Sequence, residues 1–357
     1  MRLLRLFCLA ALPSLALGCA VDPRAQLNAA ADKEIKARNY SEAEKYAAAA
    51  VKESTQNNQE RTLAIGLFQL GEIYMAQQRY VEAEEKLQRS LEIFERTERP
   101  PVYGRYWTTA NLHRLGLLNE TQDRYSQAEN FYRRMLASAE KAFGGRHGEI
   151  VQPLNALSRV SSVQQRFKEA EAFSRRALSI ADDSSSGEPG DLGASLSYLG
   201  LSHLGQGRNV DAEKELAQAL RAFEEKSATD NYDYAMTLVY FARVNLAQRK
   251  FSAADTYFRR GLVALGKSNG VDDPAVASTL RELASLYVEQ DRDIEAELLY
   301  RRSLALHEKS LGPVHFQVAT TLEAYAALLR KDQRDAEAAE LAKRAKAIRD
   351  ANSTEKN

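Results

Sequence analysis

The chain has 357 residues, 44% hydrophobic and 27% charged, and its 49 basic and 49 acidic side chains cancel to a formal net charge of zero. That composition belongs to a folded soluble protein and lacks the basic excess with which nucleic-acid binders neutralise phosphates. With two cysteines, Cys8 and Cys19, a cysteine-rich metal site is excluded.

Residues 1–18 read as an export signal: Arg2 and Arg5 supply a positive start, and an apolar stretch from Leu3 to Leu17 follows, broken by Arg5, Pro13 and Ser14. It is too short and too interrupted to span a bilayer as a permanent helix. The segment ends Leu15-Ala16-Leu17-Gly18-Cys19, which resembles the lipobox of bacterial lipoproteins, although Ala16 stands where a large aliphatic is usual. The resemblance implies cleavage before Cys19 and acylation of its thiol. Ala20 after the cysteine then implies the outer membrane, with the protein facing the periplasm. Ala16-Leu17-Gly18 also fits an ordinary signal-peptidase site, which would leave a secreted or soluble periplasmic protein. Cys19 would be the sole thiol of the mature chain, so no internal disulfide is possible. Two or more acyl chains anchor stably where one does not, and residues 19–25 form a short polar linker.

From there a pattern recurs eight times. Ala43, Ala83, Ala128, Ala170, Ala212, Ala254, Ala296 and Ala338 are spaced by 40, 45 and then 42 residues five times. Sixteen before each lies a leucine, Leu27 to Leu322, and twelve before each a small residue: Ala31, Gly71, Gly116, Ser158, Gly200, Ala242, Ala284, Ala326. Such a period means stacked units that share one continuous core. In the unit around Ala296, Leu280, Leu283, Ala284 and Tyr287 mark one helical face, Gln290–Asp293 a polar break, and Ala296, Leu299, Tyr300, Ser303 and Leu304 a second face. Each unit is therefore two antiparallel helices, and no segment alternates at period two. The small residues sit where two helix axes cross closely.

A small residue, twelve more to an alanine and seven more to another small one is the skeleton of the tetratricopeptide repeat. The period and phrases such as Glu297-Leu298-Leu299-Tyr300-Arg301-Arg302-Ser303-Leu304 resemble the 42-residue variety of kinesin light chains and nephrocystin-like proteins. The fold implied is all-α, a right-handed α-solenoid superhelix of eight helix-turn-helix repeats over residues 26–347. A last helix from Asp335 to Arg349, with Lys346 at an otherwise aliphatic position, caps the array, and a polar tail spans 348–357. Arg99-Pro100-Pro101 marks the longer step, and Asp182–Gly190 is a candidate hinge.

Chemistry is scarce. His113, His147, His203, His307 and His315 form no metal-ligand spacing, and no nucleophile elbow, P-loop or dinucleotide fingerprint occurs. His147 and His315 share one inter-repeat position and read as caps of the next helix. Arg pairs recur on the second helices, each with an acid four residues earlier: Glu129/Arg133, Glu171/Arg175, Asp255/Arg259, Glu297/Arg301. No catalytic residue, metal or cofactor is expected.

In tetratricopeptide folds the first helices line the concave surface. By that resemblance the binding groove contains Phe68, His113, Arg114, Arg159, Tyr198, Tyr240, Arg243 and Arg281, and aromatic and arginine side chains are the usual hot spots. The asparagine that grips a peptide backbone in kinesin-type repeats is replaced here by Gln69, Arg114, Ala156, Tyr198, Tyr240, Glu282 and Ala324. The expected function is a non-catalytic scaffold on the bacterial envelope, binding an extended peptide or helix of acidic character. Nucleic acid and small-molecule substrates are not expected. The alternative is a regulatory subunit of an envelope enzyme or of a secretion or assembly complex.

Overall fold

The computed structural model describes residues 22–97, 105–182 and 190–354, and every regular element among them is helical. The chain divides into two compact units, Met1–Gly145 and Arg146–Asn357. In the first, α1 (Pro23–Lys36) pairs with α2 (Tyr40–Gln56), α3 (Glu60–Ala76) with α4 (Tyr80–Thr97), and α5 (Arg105–Thr121) with α6 (Tyr125–Phe143). In the second, a 3₁₀ turn (Gly148–Ile150) leads into α7 (Val151–Val163), which pairs with α8 (Phe167–Ala181). Then α9 (Asp191–Gly205) pairs with α10 (Asn209–Glu225), and α11 (Tyr232–Ala247) with α12 (Phe251–Ser268). Finally α13 (Pro274–Val288) pairs with α14 (Asp293–Leu311), and α15 (Phe316–Lys331) with α16 (Asp335–Thr354).

All eight anchor alanines are fully buried, at 0% exposure. Twelve residues earlier, the small residue is small because of what faces it. A Cβ on Gly71 would stand 2.5 Å from Leu87 Cγ, one on Gly200 2.7 Å from Leu216 Cγ, and one on Gly116 would overlap the Tyr132 ring. Where both sides are small, a hydrogen bond fills the crossing: Ser158 Oγ lies 2.6 Å from Ser174 Oγ and donates to the Ala170 carbonyl at 2.9 Å.

The turn inside each pair is also invariant. Five residues before every anchor the backbone is left-handed, with φ of 56–74° at Arg38, Gln78, Asp123, Gln165, Gly207, Arg249, Asp291 and Gln333. The following N–H returns to a carbonyl of the last helical turn, as Arg79 N to Tyr74 O at 2.8 Å, which closes the first helix. Only one of the eight positions is glycine, so the turn is held by these bonds and by packing rather than by local preference.

The helix boundaries differ from expectation at both ends. α1 begins at Pro23, inside the expected linker, because Asp22 caps it by accepting from Arg24 N and Pro23 suits the first helical position. α16 runs to Thr354, well into the expected tail, since nothing after Arg349 breaks a helix; Asn352 Nδ2 donates to the Ile348 carbonyl at 2.8 Å. The export signal, Cys19, the Arg99–Pro101 step and residues 183–189 of the hinge candidate lie outside the described residues. On either side of that candidate, α8 packs directly on α9.

Candidate partner-binding face of the first helices

In the first unit, Phe68 on α3 is buried edge-on against Trp107 of α5, with ring centroids 5.4 Å apart, and Trp107 stacks on Phe94 of α4 at 5.5 Å. His113 lies beside the Tyr132 ring, 6.3 Å between centroids. Arg114 forms a largely buried ion pair with Glu72, its Nε and Nη2 both reaching Oε1 at 2.7 and 2.5 Å.

The second unit brings the remaining five together on consecutive first helices. Tyr198 on α9 is buried and donates to Asp233 at 2.7 Å. Burial and then Asp233 push its phenol well above the ordinary range, while the nearby positive charge of Arg159, half-buried on α7, acts the other way. Tyr240 on α11 is buried beneath the Arg243 guanidinium, 5.4 Å from its ring centroid. Arg243 in turn holds Glu282 of α13 with two hydrogen bonds of 2.7 and 2.6 Å. Burial works against its charge, but Glu282 more than offsets that and raises its pKa. Arg281 differs. Half-buried, it donates only to the Gln317 amide oxygen at 3.0 Å, and burial lowers its pKa.

These contacts follow a rule that the sequence analysis missed. The residue eleven before one anchor meets the residue fourteen before the next: Asp32 with Gln69, Glu72 with Arg114, Arg243 with Glu282. Complementary residue types at those two offsets are the signal that could have revealed it.

The second helices carry another ladder. The expected four-residue pairs are present, Arg133–Glu129, Arg175–Glu171, Arg259–Asp255 and Arg301–Glu297. The acid just after an anchor also takes the basic residue of the next repeat's turn: Glu44 with Arg79, Glu84 with Arg124, Glu171 with Arg208, Glu213 with Lys250, Glu297 with Arg334. Gln206, Arg175 and His203 hold the Glu171 carboxyl down at about 2, and Arg334, Tyr325 and Arg301 do the same for Glu297.

The histidines are structural. His147 and His315 cap their helices through Nδ1, accepting from Glu149 N and Gln317 N at 3.2 Å. His203 is buried between Glu215 and Glu171. His307 is buried against Thr321 and Ser278, and burial, with Arg281, drives its pKa to about 3, so it stays neutral. No group of His, Cys, Asp and Glu suited to a metal occurs among the described residues, and none of their helices is long and apolar enough to cross a membrane.

Tetratricopeptide repeat profiles match residues 64–96, 107–183 and 267–351. No curated protein matches the chain. Among solved structures it is similar to BtubC (BKLC) from P. vanneervenii, 23% identical over 66% of this chain and 92% of that one, with a TM-score of 0.51. It is also similar to the Rap conjugation gene regulator of plasmid pLS20 in complex with the Phr* peptide, 17% identical over 83% and 76%, TM-score 0.59. A third is NprR in complex with its cognate peptide NprX, 14% identical over 90% and 89%, TM-score 0.58. At these identities the likeness is one of fold. With the buried anchors, the paired helices and the profile matches in agreement, the chain carries tetratricopeptide repeats.

Proposed function

We propose that this protein is a non-catalytic protein–protein interaction scaffold whose first-helix face in the second unit binds an extended partner segment. Arg281 carries the reading. Arg114 and Arg243 are paired directly with carboxylates of their own chain, whereas Arg281 donates to an amide oxygen and feels Glu282 only through space, on a face that also presents Arg159 and Arg243. A guanidinium with unused donors on a half-buried surface is suited to a partner's carboxylate. The acidic character expected of the partner thus rests on Arg281. The Rap and NprR structures are of proteins in complex with peptides, which supports a segment as the ligand.

The second part of the proposal is location. The Leu15–Cys19 sequence supports an acylated Cys19 and a periplasmic face of the outer membrane. Labelling cells with a fatty-acid analogue should mark the wild type and leave Cys19→Ser unmarked. Crosslinking and pull-down from membranes should then recover a partner that Arg281→Glu reduces at least tenfold, a loss of about 1.4 kcal/mol or more. Recovery unchanged in Arg281→Glu would remove the assignment of this face.

A further inference from the structure

The first unit carries the opposite charge problem. Asn28 and Asp32 lie one turn apart on α1, Gln69 and Glu72 face them from α3, and Arg114 follows on α5. Asp32 Oδ1 accepts from Gln69 Nε2 at 2.6 Å, and the same nitrogen donates to the Asn28 carbonyl at 2.8 Å. No cation touches Asp32; Lys36, one turn further along α1, acts on it only through space. The one guanidinium nearby, Arg114, spends both of its bonds on Oε1 of Glu72. Of these two partly buried carboxylates, Glu72 alone holds the arginine, and Asp32 has only an amide donor.

A second observation concerns Gln69 itself. Its side chain is 1% exposed, both bonds from Nε2 are made, and Oε1 has no donor. Because Oε1 and Nε2 share one carbon, Oε1 lies within about 5 Å of Asp32 Oδ1. A buried acceptor without a donor is costly, and here it stands beside an anion whose donor is that same uncharged amide. Two acceptors at that separation match the donors of one guanidinium or ammonium group, which offers several N–H bonds and accepts none.

We infer that Asp32, Glu72 and Gln69 form a subsite on the first-helix face of the first unit for a basic side chain, arginine or lysine, of a bound peptide. The inference rests on the reading that first helices bind extended segments, and it adds a ligand chemistry opposite to that of Arg281. Burial, and then repulsion from Glu72, raise the Asp32 pKa. An aspartate whose folded pKa exceeds its unfolded value loses stability as pH rises through the folded value, so at neutral pH the empty subsite is a liability that a cation would relieve.

The test uses the full-length protein, a display library of random octapeptides, and the variants Asp32→Asn and Arg281→Glu. Peptides selected on the wild type should be enriched in Arg or Lys at one position. Asp32→Asn should abolish that enrichment while raising Tm at neutral pH, and Arg281→Glu should leave the basic position intact. A basic preference that survives Asp32→Asn, selected peptides without one, or a lower Tm for Asp32→Asn would overturn the inference. Failure to select any peptide would instead remove the reading on which it rests, and the inference with it.

Discussion

At the residue scale, the crossing of two helices is a matter of complementary volumes. Gly71, Gly116 and Gly200 leave room for Leu87, Tyr132 and Leu216, while Ala242 and Ala284 precede Phe258 and Tyr300 at the same offset. The tightest case is Gly116. The Tyr132 ring that fills its space is fully buried and tied by its hydroxyl to Glu120 at 2.5 Å, so it has little freedom to retreat. Gly116→Ala should therefore destabilise the protein by about 1–3 kcal/mol despite the better helix propensity of alanine. Urea denaturation followed by tryptophan fluorescence checks this, because Trp107, the only tryptophan, lies on the same helix. An unchanged midpoint would mean that the ring moves aside without cost.

At the element scale, a ladder of turn cations and second-helix acids joins neighbouring repeats at five junctions, two in the first unit and three in the second. Glu297 accepts from Arg334 at 2.8 Å, from Arg301 at 2.6 Å and from Tyr325 at 2.7 Å. Its carboxyl lies at about 2 in the folded chain against an ordinary value of 4.5. A depressed carboxylate contributes stability that is present above the unfolded pKa and lost as pH falls toward the folded one. Glu297→Gln should accordingly cost about 1 kcal/mol at neutral pH and less in high salt, and it should flatten the acid limb of the stability curve between about 4.5 and 2. Thermal melts across that range are the measurement. The acid–arginine pairs four residues apart were legible because a helix has a fixed pitch. The second partner of each acid lies 35 to 40 residues away, and only the offset between stacked repeats brings it near. The same offset separates Arg243, which is neutralised, from Arg281, which is not, although both stood out equally as groove arginines. Burial was legible at the anchors, since every anchor alanine is in the core, but not at Phe68, Tyr198 and Tyr240, which read as groove positions and are buried; charge compensation was not legible either.

At the scale of the whole molecule, a chain of repeats in which each pair packs mainly on its neighbours need not unfold as one. The residue types of the turn ladder stop at the first and last repeats: Asn39 stands where other repeats place Arg or Lys, and Ala339 stands where they place Glu or Asp. The chain divides into two compact units, with Trp107 in the first and most of the helical residues in the second. Fluorescence therefore reports the first unit, whereas far-ultraviolet circular dichroism weights the second. The two signals should give different urea midpoints in the wild type. Gly116→Ala should widen or reverse that gap by moving the fluorescence midpoint alone, and Glu297→Gln should move the dichroism midpoint alone. Coincident transitions in the wild type, displaced together by either substitution, would show instead that the repeats act as one cooperative unit. In that case a ligand bound at Asp32 or at Arg281 would stabilise the entire array, rather than the unit that holds it.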